Sequence, residues 1–266
     1  MDMSPYYAAE NEKPLDRIPP DGGFAGIFRR IACIGDSLSS GCFEAVHSAD
    51  RRGFYDYFDH SWGQHLGHLI GSTVFNFSRG GMTAKEYCQS FAEENHFWDE
   101  DKLCPCYIIA LGVNDLFGLH MPVGSTSDVC LEDPSKNNEE TFAGWYARII
   151  QRLKAMQPKA RIFLMTMLFN GEEERDKAIR EHAALLHDLA KLFEFTYVLD
   201  FAKYGPLQDA EYQRNFYLHG HLNAAGYLLT SRMVAAYLDY IIRHNPEDFT
   251  QVGFIGTPYH SIEAKW

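Results

Sequence analysis

Short apolar runs recur along the chain at regular intervals. The run at residues 106–111 is apolar throughout, which is typical of a strand buried on both faces of a sheet. Comparable runs predict five strands, at about residues 30–34, 73–77, 106–111, 161–167 and 195–200.

Between these runs, apolar residues return at helical spacing. Trp62, Leu66 and Leu69, for example, fall on one face of a helix. The pattern predicts helices at about residues 61–70, 83–91, 138–156, 173–192 and 223–242. Strands that alternate with helices of this length pair in parallel through right-handed crossovers. We therefore predict an α/β fold, a three-layer α/β/α flavodoxin-like sandwich with about five parallel strands.

The ends of the chain lack this periodicity. Residues 1–28 contain proline and glycine and predict an N-terminal extension, and residues 244–266 predict a C-terminal tail. No linker or internal repeat divides residues 29–243, which we predict to be one domain. Residues 117–138 form a predicted loop that is long enough to be functional or mobile.

Charge narrows the range of partners. The 266 residues include 24 Lys+Arg and 36 Asp+Glu, for a net charge of -12. Such acidity argues against nucleic acid and against anionic membrane surfaces as partners.

Targeting signals and cysteines bear on the compartment. Residues 1–20 contain no apolar run of the signal-peptide type, and no stretch has the roughly 18–20 apolar residues that span a bilayer. The six cysteines include no Cys-x-x-Cys pair of the redox or zinc-binding kind. We expect a cytoplasmic protein with free thiols and without a metal or other cofactor.

The chemistry-bearing residues follow predicted strands. The first strand breaks at Gly35 and places Ser37 at its carboxyl end, where open α/β sheets bind their ligands. Three other polar segments lie at corresponding places, at residues 76–83, 112–115 and 219–227. Because these turns lie along one edge of a doubly wound sheet, we expect them to converge on Ser37.

Four motifs in these segments give the chain a family resemblance. They are Gly-Asp-Ser-Leu at 35–38, a glycine turn before Thr83, Gly-x-Asn-Asp at 112–115 and His-Leu-Asn-x-x-Gly-Tyr at 221–227. Their types and their order resemble the four sequence blocks of the SGNH, or GDSL-type, esterases and lipases. Each motif alone is a weak signal, whereas four in order, each at a predicted strand end or loop, are a strong one.

The resemblance implies a role for each matching residue. Ser37 is then the nucleophile and His221 the general base, because a serine hydroxyl needs an adjacent base to attack an ester. The backbone N–H groups of Ser37 and Gly81 and the side-chain amide of Asn114 form the oxyanion hole. Gly80 is the alternative to Gly81 by one residue.

One position departs from the family pattern. The family places an aspartate three residues before its histidine, and this chain has Leu218 there. Either the backbone carbonyl of Leu218 orients His221, or a carboxylate elsewhere does, for which Asp200 is the nearest candidate by topology. Loss of an orienting carboxylate costs about 10⁴ in kcat in serine proteases.

The main hypothesis is a serine ester hydrolase that acts through an acyl-enzyme on a small-molecule substrate, a small or carbohydrate-linked ester with a short acyl group. The alternatives are an acyltransferase that uses the same site and a non-catalytic binding protein. Five aromatic residues follow the nucleophile motif, namely Phe54, Tyr55, Tyr57, Phe58 and Trp62. They are candidates for stacking on a sugar ring, and the alternative is that they pack in the core or in a lid. A zinc site is the weakest alternative, and its candidate ligands are His65, His68, His120, His219 and His221.

Overall fold

A computed structural model describes Tyr7 and residues 9–266. The strands are β1 (Arg30–Gly35), β2 (Cys42–Ser48), β3 (Arg51–Asp56), β4 (Thr73–Ser78), β5 (Cys106–Ala110), β6 (Arg161–Met165), β7 (Thr196–Leu199), β8 (Tyr217–Leu218) and β9 (His221–Leu222). Five of them form a parallel central sheet in the order β4-β1-β5-β6-β7. Two antiparallel hairpins, β2-β3 and β8-β9, stand apart from this sheet.

Helices cover both faces of the sheet. They are α1 (Ser37–Ser40), α2 (Trp62–Ile70), α3 (Ala84–Glu86), α4 (Ala92–Glu94), α5 (Phe142–Met156), α6 (Glu173–Leu192), α7 (Phe201–Tyr204), α8 (Ala210–Phe216) and α9 (Ala224–His244). Among the residues that the structure describes, no helix is both long and apolar enough to cross a membrane.

The core consists of two layers that the sheet separates. Along β1, Ile31 and Cys33 join the cluster that contains residues of α2 and α9, whereas Ala32 and Ile34 join the cluster that contains residues of α5 and α6. Alternate side chains of a strand point to opposite faces. The predicted three-layer α/β/α sandwich with five parallel strands is therefore confirmed.

The hairpins lie in segments that the sequence pattern did not assign to strands. In β3 no side chain is fully buried, so the alternation that marks a half-buried strand is absent. In the first hairpin Glu44 pairs with Phe54, and in the second Leu218 pairs with His221. The second hairpin thus contains the candidate base His221, and the first contacts it, since the Glu44 carboxylate accepts the Gly220 N–H at 2.7 Å.

The described parts of both terminal segments pack on the domain. Phe28 of the N-terminal segment and Phe249 of the C-terminal segment are buried in the layer that contains α9. The guanidinium of Arg243 contacts Glu12 at 2.7 Å and Asp239 at 2.8 Å. The boundaries at residues 28 and 244 stay a prediction, and residues 1–6 and 8 lie outside the described part.

Candidate active site

Ser37 stands at the turn between β1 and α1. The Asp36 carboxylate accepts the Leu38 N–H at 3.0 Å and so caps α1, which begins at Ser37. A Cβ on Gly35 would collide with the Ser39 side chain and approach the Ala110 carbonyl oxygen to 3.0 Å. The turn is therefore tight enough to require glycine, and it places Ser37 at the carboxyl end of the strand.

Two other turns converge near this serine. Asn114 begins a π-helical turn, Asn114–Gly118, shortly after β5. Its side-chain amide donates to the Met82 carbonyl oxygen at 3.0 Å. Gly81, the residue before Met82, has φ of +77°, a conformation that favours glycine. The hydrogen bond therefore holds the Gly81 turn against Asn114.

The backbone donors of this region differ in whether they are occupied. Within the described part of the chain, the N–H groups of Ser37 and Gly81 donate to no protein acceptor. The N–H of Gly80, in contrast, donates to the Asp56 carboxylate at 3.2 Å. This difference favours Gly81 over Gly80 as a donor to a developing oxyanion.

His221 lies on β9, directly after the two-residue turn of the second hairpin. The first residue of that turn, His219, has φ of +58°. The ring of Phe54 meets the His221 ring edge to face, with centroids 5.5 Å apart. His221 Nδ1 lies 3.4 Å from Glu44 Oε2. Catalytic hydrogen bonds are often this long before substrate binds.

Glu44 is the carboxylate that faces the histidine. Its side chain is 3% exposed, and Oε2 also accepts the Gly220 N–H at 2.7 Å, while Oε1 pairs with Arg52 at 2.8 Å. Burial alone would raise the pKa of Glu44, but the hydrogen bonds from Gly220, His221 and Arg52 outweigh burial, so this pKa is lowered. The structure thus holds a fixed negative charge beside His221.

Neither sequence-based candidate for orienting His221 is a hydrogen-bond partner of its ring among the described residues. The Asp200 carboxylate bonds to His187 at 2.7 Å and caps α7 through the Lys203 N–H. Leu218 pairs with His221 across the hairpin. In the described residues the His221 ring bonds to the Glu44 carboxylate and not to the Leu218 carbonyl.

Sequence reasoning missed Glu44 because it lies in a segment, residues 42–48, to which the apolar pattern assigned neither a strand nor a helix. The one available signal is a carboxylate that stands between apolar residues, Phe43 and Ala45, close after the nucleophile motif.

Ser37, Asn114 and His221 line one cavity of about 460 Å³. This volume falls in the range of small-molecule sites. Apolar side chains from the end of β6 and the residues after it, Met165, Met167 and Leu168, form part of the lining. In the described residues, no group of three or more His, Cys, Asp or Glu side chains is placed to hold a metal ion.

Comparisons with known proteins agree with this fold. The model of the GDSL-like Lipase/Acylhydrolase family matches residues 33–229. A comparison with curated proteins gives no match.

Among solved structures, a family two carbohydrate esterase from Clostridium thermocellum in complex with cellohexaose is 16% identical, with a TM-score of 0.57 over 83% of this chain and 65% of that chain. A protein from Lactobacillus plantarum is 17% identical, with a TM-score of 0.58 over 80% and 97%. A family 3 carbohydrate esterase from Clostridium thermocellum is 15% identical, with a TM-score of 0.52 over 81% and 97%. At these identities the likeness shows the fold alone.

Proposed function

The chain belongs to the GDSL-like lipase/acylhydrolase family, and from this membership and the geometry of the site we propose that it is a serine esterase that cleaves a small ester through an acyl-enzyme. Ser37 is the nucleophile and His221 the general base. The observation that carries the proposal is the cavity that Ser37 and His221 share, with a buried carboxylate behind the histidine.

The chemistry follows from the residues around the cavity. His221 accepts the Ser37 hydroxyl proton as Oγ attacks the ester carbonyl. The negative charge that develops on the carbonyl oxygen is stabilised by the Ser37 N–H, by the N–H of the adjoining Gly81 turn and by the second N–H of the Asn114 amide, whose first N–H bonds to Met82. The protonated histidine then donates to the leaving alcohol, which departs, and water releases the acyl group by the same steps in reverse order.

Glu44 gives the histidine the partner that Leu218 does not supply. An ionised carboxylate on the Nδ1 side keeps the proton on that nitrogen and stabilises the imidazolium that forms during attack. Leu218 in place of the usual aspartate gives some weight to the alternative of a non-catalytic binding protein. A buried carboxylate from β2 supplies the missing partner of the histidine. We therefore propose a Ser37–His221–Glu44 triad.

We propose a carbohydrate-linked, short-acyl ester as the substrate class. Two structural neighbours are named as carbohydrate esterases. Phe54, Tyr55 and Tyr57 are exposed on and just after the hairpin that contacts His221. None of the three lines the cavity, but Phe54 contacts the His221 ring, and an exposed aromatic face there is a stacking surface for a sugar ring.

Covalent labelling tests the nucleophile. A fluorophosphonate probe should modify the wild type at Ser37, as located by peptide mass spectrometry. Ser37→Ala should lose both the labelling and the hydrolysis of 4-nitrophenyl acetate, and His221→Ala should lose the hydrolysis. Wild-type turnover in Ser37→Ala, or labelling at another serine, would show that Ser37 is not the nucleophile.

A further inference from the structure

Arg175 lies in the first turn of α6 and lines the same cavity as Ser37 and His221. It is the one Lys or Arg side chain among the described residues that line this cavity. The chain as a whole carries a net charge of -12. A single guanidinium placed at the reaction site of an acidic protein calls for a physical explanation.

Neighbouring carboxylates do not provide it. Within residues 9–266 and Tyr7, no carboxylate oxygen lies within 4.0 Å of the Arg175 guanidinium, although Glu173, Glu174 and Asp176 flank it in sequence. The Asp176 carboxylate instead accepts the N–H groups of Asn170 and Gly171, at 3.0 and 3.1 Å. The charge of Arg175 is therefore available to a ligand.

Helix stability does not explain the position either. The N-terminal turn of a helix carries a partial positive charge, so a cation there is unfavourable. The guanidinium carbon of Arg175 lies 4.1 Å from the centre of the Phe117 ring. Such stacking fixes the plane of the guanidinium and leaves its N–H edge free for a bidentate contact with a carboxylate.

Two neutral donors line the cavity with it. The Tyr217 hydroxyl oxygen accepts from Gln208 at 2.8 Å, which leaves its O–H to donate. The Asn170 side-chain oxygen accepts the Glu172 N–H at 3.1 Å, which leaves its NH₂ group to donate. The one carboxyl among the described lining residues, Asp36, is committed to capping α1.

We propose that Arg175 binds a carboxylate on the substrate, so that the preferred ester carries a negative charge besides the reacting ester group. The inference rests on the proposed esterase function and names a feature of its substrate. The carboxylate has two possible sources, the acyl group of a dicarboxylic acid monoester or the leaving alcohol.

Paired substrates distinguish the two sources. Mono-4-nitrophenyl glutarate against 4-nitrophenyl butyrate tests a charge on the acyl group, and 4-acetoxybenzoate against 4-acetoxybenzamide tests a charge on the leaving group. In at least one pair, Arg175→Gln should lower the charged-to-neutral ratio of kcat/KM by about 10-fold to 100-fold, as expected for loss of a hydrogen bond to a charged group. Arg175→Lys should retain part of the ratio.

Arg180→Gln is the matched control, since Arg180 is an exposed arginine of the same helix, stacks on Phe169 at 5.6 Å and does not line the cavity. It should leave both ratios unchanged. If Arg175→Gln leaves both ratios at the wild-type value, or lowers charged and neutral esters equally, the proposal is wrong while the esterase assignment stands.

If the wild type hydrolyses none of the four esters, the esterase proposal fails first. Titration calorimetry, which measures the binding of monomethyl glutarate, then tests whether Arg175 binds a carboxylate. Binding to Ser37→Ala that weakens about 10-fold or more in Ser37→Ala/Arg175→Gln supports the carboxylate site. Equal binding, or none to either variant, overturns it.

Discussion

Replacement of Glu44 by glutamine tests the triad most directly. Glutamine keeps the size of the side chain and an oxygen that accepts the Gly220 N–H, but it removes the negative charge beside His221. The variant should fold as the wild type does, and the change should appear in the chemical step.

The magnitude follows from the distance and the burial. Opposite unit charges 3.4 Å apart attract by about 5 kcal/mol at an effective dielectric constant of about 20, and by about 1 kcal/mol in bulk water. Glu44 is 3% exposed and His221 17%, so the interaction lies closer to the first value. Because the contact is long for a hydrogen bond, we expect kcat to fall by about 10²-fold to 10³-fold, or about 3–4 kcal/mol in the barrier.

The assay is steady-state hydrolysis of 4-nitrophenyl acetate, with kcat and KM measured separately. Arg52→Gln is the control, because it removes another partner of Glu44 whose own side chain is 65% exposed. Exposed ion pairs contribute little to the free energy of the folded protein, so the kcat of this variant should stay within about 3-fold of the wild-type value. Asp200→Asn should do the same, since Asp200 bonds to His187 rather than to His221.

A kcat for Glu44→Gln within about 3-fold of the wild type would refute the triad and return the Leu218 carbonyl to consideration. A fall of equal size in Glu44→Gln and Arg52→Gln would show that the hairpin matters for structure and not for charge.

Three further predictions concern neighbouring residues. Asn114→Ala should lower kcat for 4-nitrophenyl acetate by about 10²-fold to 10³-fold with little change in KM, as for an oxyanion-hole donor; an unchanged kcat would exclude it from that role. Gly220→Ala should lower kcat by about 10-fold to 100-fold, because the added Cβ would lie 2.8 Å from Glu44 Oε2, and a crystal structure of the variant with an undisplaced carboxylate would contradict this. Burial raises the pKa of Asp115 to about 7. Between about pH 4 and pH 7 the folded protein therefore keeps a proton on Asp115 that the unfolded chain has lost, so the free energy of unfolding falls as pH rises. Asp115→Asn should flatten that slope in urea unfolding at pH 5 and pH 8, and an unaltered slope would assign it to other groups.

Much of the fold follows from local patterns. The apolar run at residues 106–111 predicted a central strand, because a strand buried on both faces excludes polar side chains at every position and the run is too short for a helix. Four strand-end motifs predicted that Ser37, Asn114 and His221 would meet, and these residues do line one cavity.

The first hairpin could not be predicted in the same way. Its second strand has no fully buried side chain, so neither periodicity nor apolar content distinguishes it from a loop. Glu44 lies on this hairpin, and for that reason the sequence directed attention to Asp200 and Leu218 instead.

The sequence by itself determined the layers of the sandwich and the residues that we propose for the reaction, since burial and turn chemistry leave local traces. Only the tertiary structure decided how they are supported. It set Glu44 against His221, 177 positions away. It also paired the Gly80 N–H with Asp56 and left the Gly81 N–H without an acceptor among the described residues. Contacts of this kind depend on how loops from separate strands pack together, and a buried polar contact between distant segments has no periodic signature in the chain.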